Sequence, residues 1–281
     1  MDAQVEQHAA GIAGATEGAV LAEMRGSVAL LTLNRPEKLN AWGRSIEERY
    51  FDLLDEAERS SAVRAIVVTG AGRGFCVGAD FDDLKAVSAL DLSALERRRE
   101  ISHPLTIRKP LVAAINGPAA GVGLVQALYC DVRVLSATAK LTTAFARRGL
   151  IAEYGSARLL TELVGRGAAL DLLLSGRVVM GEEALALGLV NRLAEPGAVL
   201  DSALAYAADL AENCSPTAMS VIKRQVGRAM DGAFADSFAE ADEEMRASFA
   251  RPDVEEGVES YLQKRPPSFA PLEPRAEETM R

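Results

Sequence analysis

Apolar runs alternate with amphipathic stretches along this chain, a pattern typical of a protein that mixes strands and helices. Three short apolar runs predict buried strands: VALLTL at Val28–Leu33, AIVVTG at Ala65–Gly70 and LVAAI at Leu111–Ile115. Between the first two, apolar residues recur at helical spacing from Ser45 to Ser60, and we expect Ser45 to cap that helix. This alternation predicts an α/β fold.

The second half of the chain is predominantly helical. After two further short strands in DVRVLS and AKLTTAF, helices are predicted at 156–164, 168–174, 182–187 and 199–213. Ser215 and Pro216 form a cap and first-turn signal for a helix reaching about Met230, and a charged helical region follows from 233 to 264. We therefore expect a flexible tail at 1–20, a core at 21–213, a helical region at 214–270 and a flexible tail at 271–281.

Composition and charge narrow the possible partners. The chain has 281 residues, 49% apolar composition and a net charge of −9, which favours a globular protein and argues against a nucleic-acid or anionic-membrane surface. Three scattered cysteines and two histidines suggest neither a disulfide framework nor a metal site. Cysteines without a disulfide framework fit a reducing compartment, so we expect a cytoplasmic protein, and the first twenty residues lack the pattern of a signal peptide or membrane span.

Two glycine-containing segments, GFCVGAD at 74–80 and NGPAAGVG at 116–123, follow apolar runs. Glycine at Gly78, Gly121 and Gly123 lacks the Cβ that would keep a ligand away from the main chain, so two backbone N–H groups could form an oxyanion hole. Tight turns alone would explain each segment equally well. A dinucleotide site lacks its third glycine and later acidic residue, and a phosphate loop lacks its Lys-Ser/Thr ending.

Taken together, several segments resemble the crotonase superfamily of enoyl-CoA hydratases and isomerases. These segments are LTLNRPEKLNAW, GFCVGADF, KPLVAAINGPAAGVG, the pair Cys130 and Asp131, SGRVVMGEEALALGLVNRL and EGVESYLQKRPPSF. The resemblance spans roughly 28–269. It implies a ClpP-like spiral of ββα units with a C-terminal helical trimerisation region, a homotrimer or dimer of trimers, acyl-CoA thioesters as substrates, and no cofactor or metal beyond the CoA of the substrate.

The resemblance also assigns the oxyanion donors. The residue after Gly78 is Ala79, and the residue between Gly121 and Gly123 is Val122, where the family usually has glycine. Only the amide is used, so valine can serve, and Val122 also opens a helix whose positive end would stabilise an enolate. Asp80 is expected to hold the loop rather than to act as an acid.

Two departures from the family pattern bear on the reaction. The positions of the two glutamates of the family's hydratases hold Val125 and Phe145, which cannot move a proton and would form a dry wall. Eight residues past Phe145 lies Glu153, where several isomerases of the family carry their catalytic acid. Glu153 could instead cap the following helix or pair with a nearby arginine. Tyr154 is expected to line the acyl pocket, to donate a hydrogen bond or simply to pack.

The CoA contacts are carried over from the same resemblance, with ordinary surface charge as the alternative for the basic residues. Candidate phosphate contacts are Arg35 and Lys38, while Cys76 and Phe81 flank the first loop. Tyr261 and Lys264 match positions that reach CoA from a neighbouring subunit.

The expected activity is a double-bond shift in an enoyl-CoA by a single glutamate, Glu153, with the Ala79 and Val122 amides holding the thioester oxygen. The alternatives are an atypical enoyl-CoA hydratase and a non-catalytic acyl-CoA binder. The sequence does not specify the acyl chain length.

Overall fold

The computed structural model describes Ile12, residues 17–80 and residues 98–274, and the predicted α/β fold is confirmed within them. The described strands are β1 Val20–Arg25, β2 Val28–Leu33, β3 Ala65–Gly70, β4 Leu111–Ile115, β5 Ala119–Ala120, β6 Val132–Ser136, β7 Lys140–Thr142, β8 Val179–Met180 and β9 Arg192–Ala194. The described α-helices are α1 Arg44–Arg59, α2 Val122–Leu128, α3 Ser156–Ser175, α4 Gly181–Ala186, α5 Val199–Asn213, α6 Pro216–Ala229, α7 Phe234–Phe249 and α8 Pro252–Gln263.

A six-stranded sheet with the order β1-β2-β3-β4-β6-β9 forms the centre of the fold. Strands β1 and β2 are antiparallel, and every other neighbouring pair is parallel. Strands β2, β3 and β4 read as almost unbroken apolar runs because both of their faces are covered. The alternating side chains divide between two cores: Leu31 and Ile66 belong to the larger cluster, whereas Leu30 and Val67 pack with helix α5.

A smaller three-stranded sheet, with the order β5-β7-β8, lies beside the point where β4 leads into the second glycine segment. Strand β5 is parallel to β7, and it places the main chain of Ala119 and Ala120 between the first glycine segment and β7. Backbone pairing therefore holds the two glycine segments together.

Several details of the sequence prediction require correction. Strand β1 was not predicted, and it begins at Val20, inside the segment expected to be a tail. Helix α1 begins one residue before Ser45, its cap residue is Gly43, and no side chain caps it. The two helices predicted at 156–164 and 168–174 form one element, α3, interrupted at Gly165, whose φ is 76°. The predicted Ser215 cap is confirmed, since its hydroxyl accepts a hydrogen bond from the Ala218 amide at 3.0 Å.

Other predictions fall mostly outside the described residues. The tail expected at 1–20 is described only at Ile12 and from residue 17, and Ile12 is buried in the larger core. Among the described residues, no helix is long and apolar enough to cross a membrane.

Candidate active site

Backbone hydrogen bonds to Trp42 hold the first glycine segment in place. The Trp42 N–H donates to the Gly78 carbonyl at 2.7 Å, and the Asp80 N–H donates to the Trp42 carbonyl at 2.8 Å. These bonds form a parallel bridge between Trp42 and Ala79, in which the Ala79 N–H faces away from Trp42. Gly78 has a φ of 106°, a conformation that side chains disfavour. The segment therefore presents the Ala79 amide on its opposite side.

Two asparagine side chains fix the turn that precedes this segment. Asn40 is fully buried and donates from Nδ2 to the Gly74 carbonyl at 2.8 Å. Asn116 donates from Nδ2 to the Gly70 carbonyl at 2.9 Å and accepts the Gly70 N–H on Oδ1 at 3.2 Å. The asparagines supply partners that the backbone of a turn cannot provide for itself.

The second glycine segment places Val122 at the start of helix α2. Gly121 precedes it with φ 50° and ψ −128°, and its N–H donates to the Thr142 carbonyl at 3.1 Å. The first amides of a helix have no acceptor within the helix, and the helix dipole gives that end a partial positive charge. Val122 therefore offers an N–H suited to an anionic or carbonyl oxygen.

The two segments are in direct contact. A Cβ added to Gly121 would lie 3.8 Å from the Gly78 Cα, and one added to Gly78 would lie 3.2 Å from the Ala120 carbonyl oxygen. A Cβ on Gly123 would lie only 2.2 Å from the Cys76 carbonyl oxygen. Gly123 therefore serves the packing of α2 against the first segment, and the expectation that it bares the chain to a ligand was wrong.

Neither candidate donor amide donates to a backbone carbonyl among the described residues. Across residues 17–80 and 98–274, the backbone hydrogen bonds include none donated by the Ala79 N–H or by the Val122 N–H. Amides inside a protein are normally paired, so two amides on adjacent segments that have no backbone acceptor in the part of the chain that the structure describes suit a ligand oxygen.

Ala79 and Val122 share one cavity with Glu153. The cavity has a volume of about 300 Å³. Its described wall consists of Val77, Gly78, Ala79, Ala120, Gly121, Val122, Thr143, Ala144, Phe145, Arg148, Leu150, Glu153 and Tyr154. The predicted donors, the predicted acid and Phe145 of the predicted apolar wall thus line the same cavity, although they are separated by up to 74 positions along the chain.

The turn that carries Glu153 leads into helix α3. The Glu153 carbonyl, rather than its side chain, accepts the Ser156 N–H at 3.0 Å, and no side chain caps the helix. Two arginines near Glu153 in the sequence bind other groups. Arg147 donates to the Ser175 carbonyl, and Arg158 pairs with Glu162. Arg148 lies in the cavity wall together with Glu153.

Val125 and Phe145 occupy an apolar cluster with Tyr129. All three are almost fully buried, and Tyr154, Leu150 and other apolar side chains pack against them. Phe145 forms part of the cavity wall, but Val125 lies behind it and is not a lining residue. The prediction of a dry wall therefore holds for Phe145, whereas Val125 supports the wall from the second layer.

Asp80 binds the two residues that were candidates for CoA phosphate contacts. Arg35 pairs with Asp80 at 2.9 Å and Lys38 pairs with the same carboxylate at 3.1 Å. Asp80 is buried, so this ion pair joins the loop before α1 to the end of the first glycine segment. The geometry agrees with a loop-holding Asp80, and phosphate binding by Arg35 and Lys38 stays a prediction.

Three of the remaining predicted binding residues, Cys76, Tyr261 and Lys264, do not line the cavity. Cys76 is fully buried beside the first loop, burial raises the pKa of its thiol to about 12, and it is not part of the cavity wall, so a substrate contact at Cys76 stays a prediction. Tyr261 and Lys264 lie at the end of α8, with Tyr261 83% exposed, and neither is part of the cavity wall. Phe81 lies outside the described residues.

Residues 23–271 match the family model for enoyl-CoA hydratase/isomerase. The chain belongs to the enoyl-CoA hydratase/isomerase family. It is similar to a Thermus thermophilus protein provisionally named an enoyl-CoA hydratase, with 37% identity over 87% of this chain and 98% of that one. It is also 32% identical to the 1,2-epoxyphenylacetyl-CoA isomerase of Escherichia coli, over 89% of this chain and 97% of that one.

Solved structures confirm the predicted crotonase fold. An enoyl-CoA hydratase from Polaromonas sp. superposes with a TM-score of 0.83 at 30% identity, covering 90% of this chain and all of that one. Proteins similar to this chain are thus named both as hydratases and as an isomerase. This member of the enoyl-CoA hydratase/isomerase family is therefore an enzyme, and the names of its relatives do not decide between the two reactions.

Some residues that shape the site were not predicted to do so. Trp42, Asn40 and Asn116 hold the first segment through hydrogen bonds to distant backbone atoms, and Arg148 and Thr143 lie in the cavity wall. Asn116, which precedes Gly117, could have signalled such a loop contact, whereas nothing in the local sequence marks Arg148 or Thr143 as cavity residues.

Proposed function

We propose that this protein moves the carbon–carbon double bond of an enoyl-CoA, with Glu153 as the only acid and base. The observation that carries the proposal is the cavity itself. Among its described lining residues, Glu153 is the single carboxylate, and it shares the cavity with the Ala79 and Val122 amides. Glu153 is half-buried beside Phe145 and Tyr154, so it has both access to a ligand and partial shielding from water.

The reaction balances with one carboxylate. Glu153 removes a proton from C2 of a 3-enoyl thioester, and the electron pair moves towards the thioester carbonyl to give a dienolate. The Ala79 and Val122 N–H groups hold the developing negative charge on the oxygen, and each such donor is typically worth about 3 kcal/mol of barrier. The protonated Glu153 then returns the proton to C4, which leaves the double bond between C2 and C3. The cycle requires no cofactor.

Hydration is the second candidate, and the names of the similar proteins favour it. It requires a group that activates water and usually another that handles the proton at C2. The positions where the resemblance places the two hydratase glutamates hold Val125 and Phe145, both inside an apolar cluster. This environment favours isomerisation, in which water is not a reactant.

The apolar surface of the C-terminal helices supports assembly into a trimer or a dimer of trimers. Large apolar side chains on α6, α7 and α8 are exposed in the single chain: Ile222, Val226, Phe234, Phe238, Met245, Phe249, Val258 and Leu262. Large exposed apolar side chains concentrated on neighbouring helices are typical of an interface between protein chains. Tyr261 and Lys264 lie on the same helical region, so in an assembly they would reach the CoA of a neighbouring subunit.

A paired assay tests the proposed reaction. The purified protein is given 3-hexenoyl-CoA and, separately, 2-hexenoyl-CoA, and products are separated by chromatography. We expect 3-hexenoyl-CoA to become 2-hexenoyl-CoA faster than 2-hexenoyl-CoA becomes 3-hydroxyhexanoyl-CoA. Faster water addition would assign a hydratase. Binding of both thioesters with no product from a panel of chain lengths would assign a non-catalytic acyl-CoA binder.

A further inference from the structure

A buried hydroxyl holds the turn that carries Glu153. The Tyr129 side chain, at the end of helix α2, donates a hydrogen bond to the Tyr154 carbonyl at 2.6 Å. Tyr129 is 3% exposed and packs with Val125 and Phe145, directly behind the cavity wall. The bond therefore links the helix that begins with the Val122 amide to the residue that follows Glu153.

The turn at Tyr154 needs such a restraint. Tyr154 has a φ of 56°, a left-handed conformation that residues other than glycine rarely adopt. Gly155 follows with a φ of 71°, so two consecutive residues have positive φ before helix α3 begins. Strained backbone of this kind persists when its surroundings hold it, and it is concentrated at functional sites.

The donor keeps its proton under the conditions in which an enzyme would work. Burial, with a smaller contribution from Tyr154, raises the pKa of Tyr129 to about 12. The hydrogen bond to the Tyr154 carbonyl is thus present at neutral and mildly alkaline pH. Its strength also benefits from the apolar cluster, since a hydrogen bond shielded from water is electrostatically stronger.

We infer that Tyr129 is a positioning residue. Its bond to the Tyr154 carbonyl fixes the left-handed turn and thereby places the Glu153 carboxylate to exchange a proton with C2 and C4 of a thioester whose oxygen the Ala79 and Val122 amides hold. Tyr129 does not contact the cavity, since it is absent from the described wall. Its effect on the reaction passes through the turn. This inference rests on the proposed role of Glu153.

The test compares Tyr129→Phe with Tyr50→Phe, a matched loss of a buried hydroxyl. The Tyr50 hydroxyl is buried in the main core without a hydrogen-bond partner among the described residues. Initial rates, the pH dependence of kcat, and melting temperature are measured for wild type and both variants, on whichever of the two hexenoyl-CoA isomers the wild type converts. Binding of hexanoyl-CoA, which cannot react, is measured alongside.

For Tyr129→Phe we expect kcat to fall by about 10-fold to 100-fold, the scale of a misplaced catalytic group, while KM and hexanoyl-CoA affinity stay within twofold of wild type. The kcat–pH profile should also move, because the carboxylate enters a different environment. Tyr50→Phe should leave both unchanged. A wild-type kcat and pH profile in Tyr129→Phe would overturn the inference.

A variant that unfolds is also decisive. If Tyr129→Phe loses its cooperative melting transition while Tyr50→Phe keeps it, the bond serves the fold as a whole and the inference is overturned. Glu153→Gln separates this inference from the proposed function. An active Glu153→Gln removes the proposed function, whereas an inactive Glu153→Gln beside a fully active Tyr129→Phe removes only the positioning role.

Discussion

The Cys76 carbonyl oxygen occupies the space that a side chain at Gly123 would require, 2.2 Å from where its Cβ would lie. This contact packs the first turn of helix α2 against the first glycine segment, and so fixes the separation of the Ala79 and Val122 amides. The obstructing atom belongs to the backbone, so no change of side-chain rotamer can relieve the clash.

Gly123→Ala should therefore destabilise the protein by about 1–3 kcal/mol or more, the usual cost of overpacking a core. Thermal denaturation measures the effect. Gly167→Ala in helix α3 is the matched control, because a Cβ there meets nothing within 4 Å and alanine favours the helix. A melting temperature for Gly123→Ala at or above that of wild type would contradict the contact.

Removing the Val122 amide tests the oxyanion hole without removing a side-chain function. Proline is tolerated at the first position of a helix, and Val122 is the first residue of α2. Val122→Pro deletes the N–H and should lower kcat by about 100-fold to 1000-fold. Val122→Ala keeps the N–H and should retain most activity. Equal rates for the two variants would show that this amide does not hold the substrate oxygen.

The sequence predicted the elements that form because of their own residues, and it missed an element that depends on pairing with another segment. The boundaries of strand β3, Ala65–Gly70, agree with the prediction because a strand covered on both faces is apolar at nearly every position. Strand β1 has Glu23 and Arg25 on its exposed side and was missed. Its formation depends on antiparallel pairing with β2, which neither segment reveals alone.

The candidate site shows the same division. The resemblance predicted roles for Ala79, Val122 and Glu153 from motifs and their spacing, and these three residues line one cavity. The burial of Cys76, the second-layer position of Val125 and the Asp80 ion pairs arise from contacts between segments distant along the chain. Side-chain orientation of this kind follows from tertiary packing, so residue spacing could not supply it.

Lys38 offers a test of the predicted CoA contact. Its ammonium group carries three N–H donors and pairs with Asp80, and its side chain is 41% exposed. Lys38→Ala should raise KM for a CoA thioester by about fivefold, the equivalent of about 1 kcal/mol, without affecting kcat. KM for the corresponding pantetheine thioester, which lacks the nucleotide phosphates, should be unchanged. An equal rise for both thioesters would assign Lys38 to the loop alone.

The buried Lys109 makes the free energy of unfolding depend on pH. Its ammonium group is buried and donates to the Ala57 and Ser60 carbonyls at 2.6 Å each, at the end of helix α1. Burial lowers the pKa of Lys109 from 10.5 to about 8. Between these values the unfolded chain holds a proton that the folded chain has released, so the Lys109 contribution to the free energy of unfolding increases with pH.

Urea unfolding of wild type and Lys109→Met from pH 7 to pH 10 measures this contribution. Losing the donors removes one hydrogen bond from each of the two buried carbonyls, of which the Ser60 carbonyl keeps the Val63 N–H, and this costs about 1–3 kcal/mol. The advantage of wild type over the variant should grow as pH rises above 8. An advantage that is constant or that shrinks with pH would contradict the lowered pKa.

In the proposed reaction Glu153 alone carries the proton, and turnover of 3-hexenoyl-CoA by Glu153→Gln tests this role. Glu162→Gln is the control, since Glu162 lies on helix α3 and pairs with Arg158 outside the cavity. Glu153→Gln should lose about 100-fold to 10,000-fold in kcat while its affinity for hexanoyl-CoA remains that of wild type. Wild-type turnover in Glu153→Gln would contradict the account.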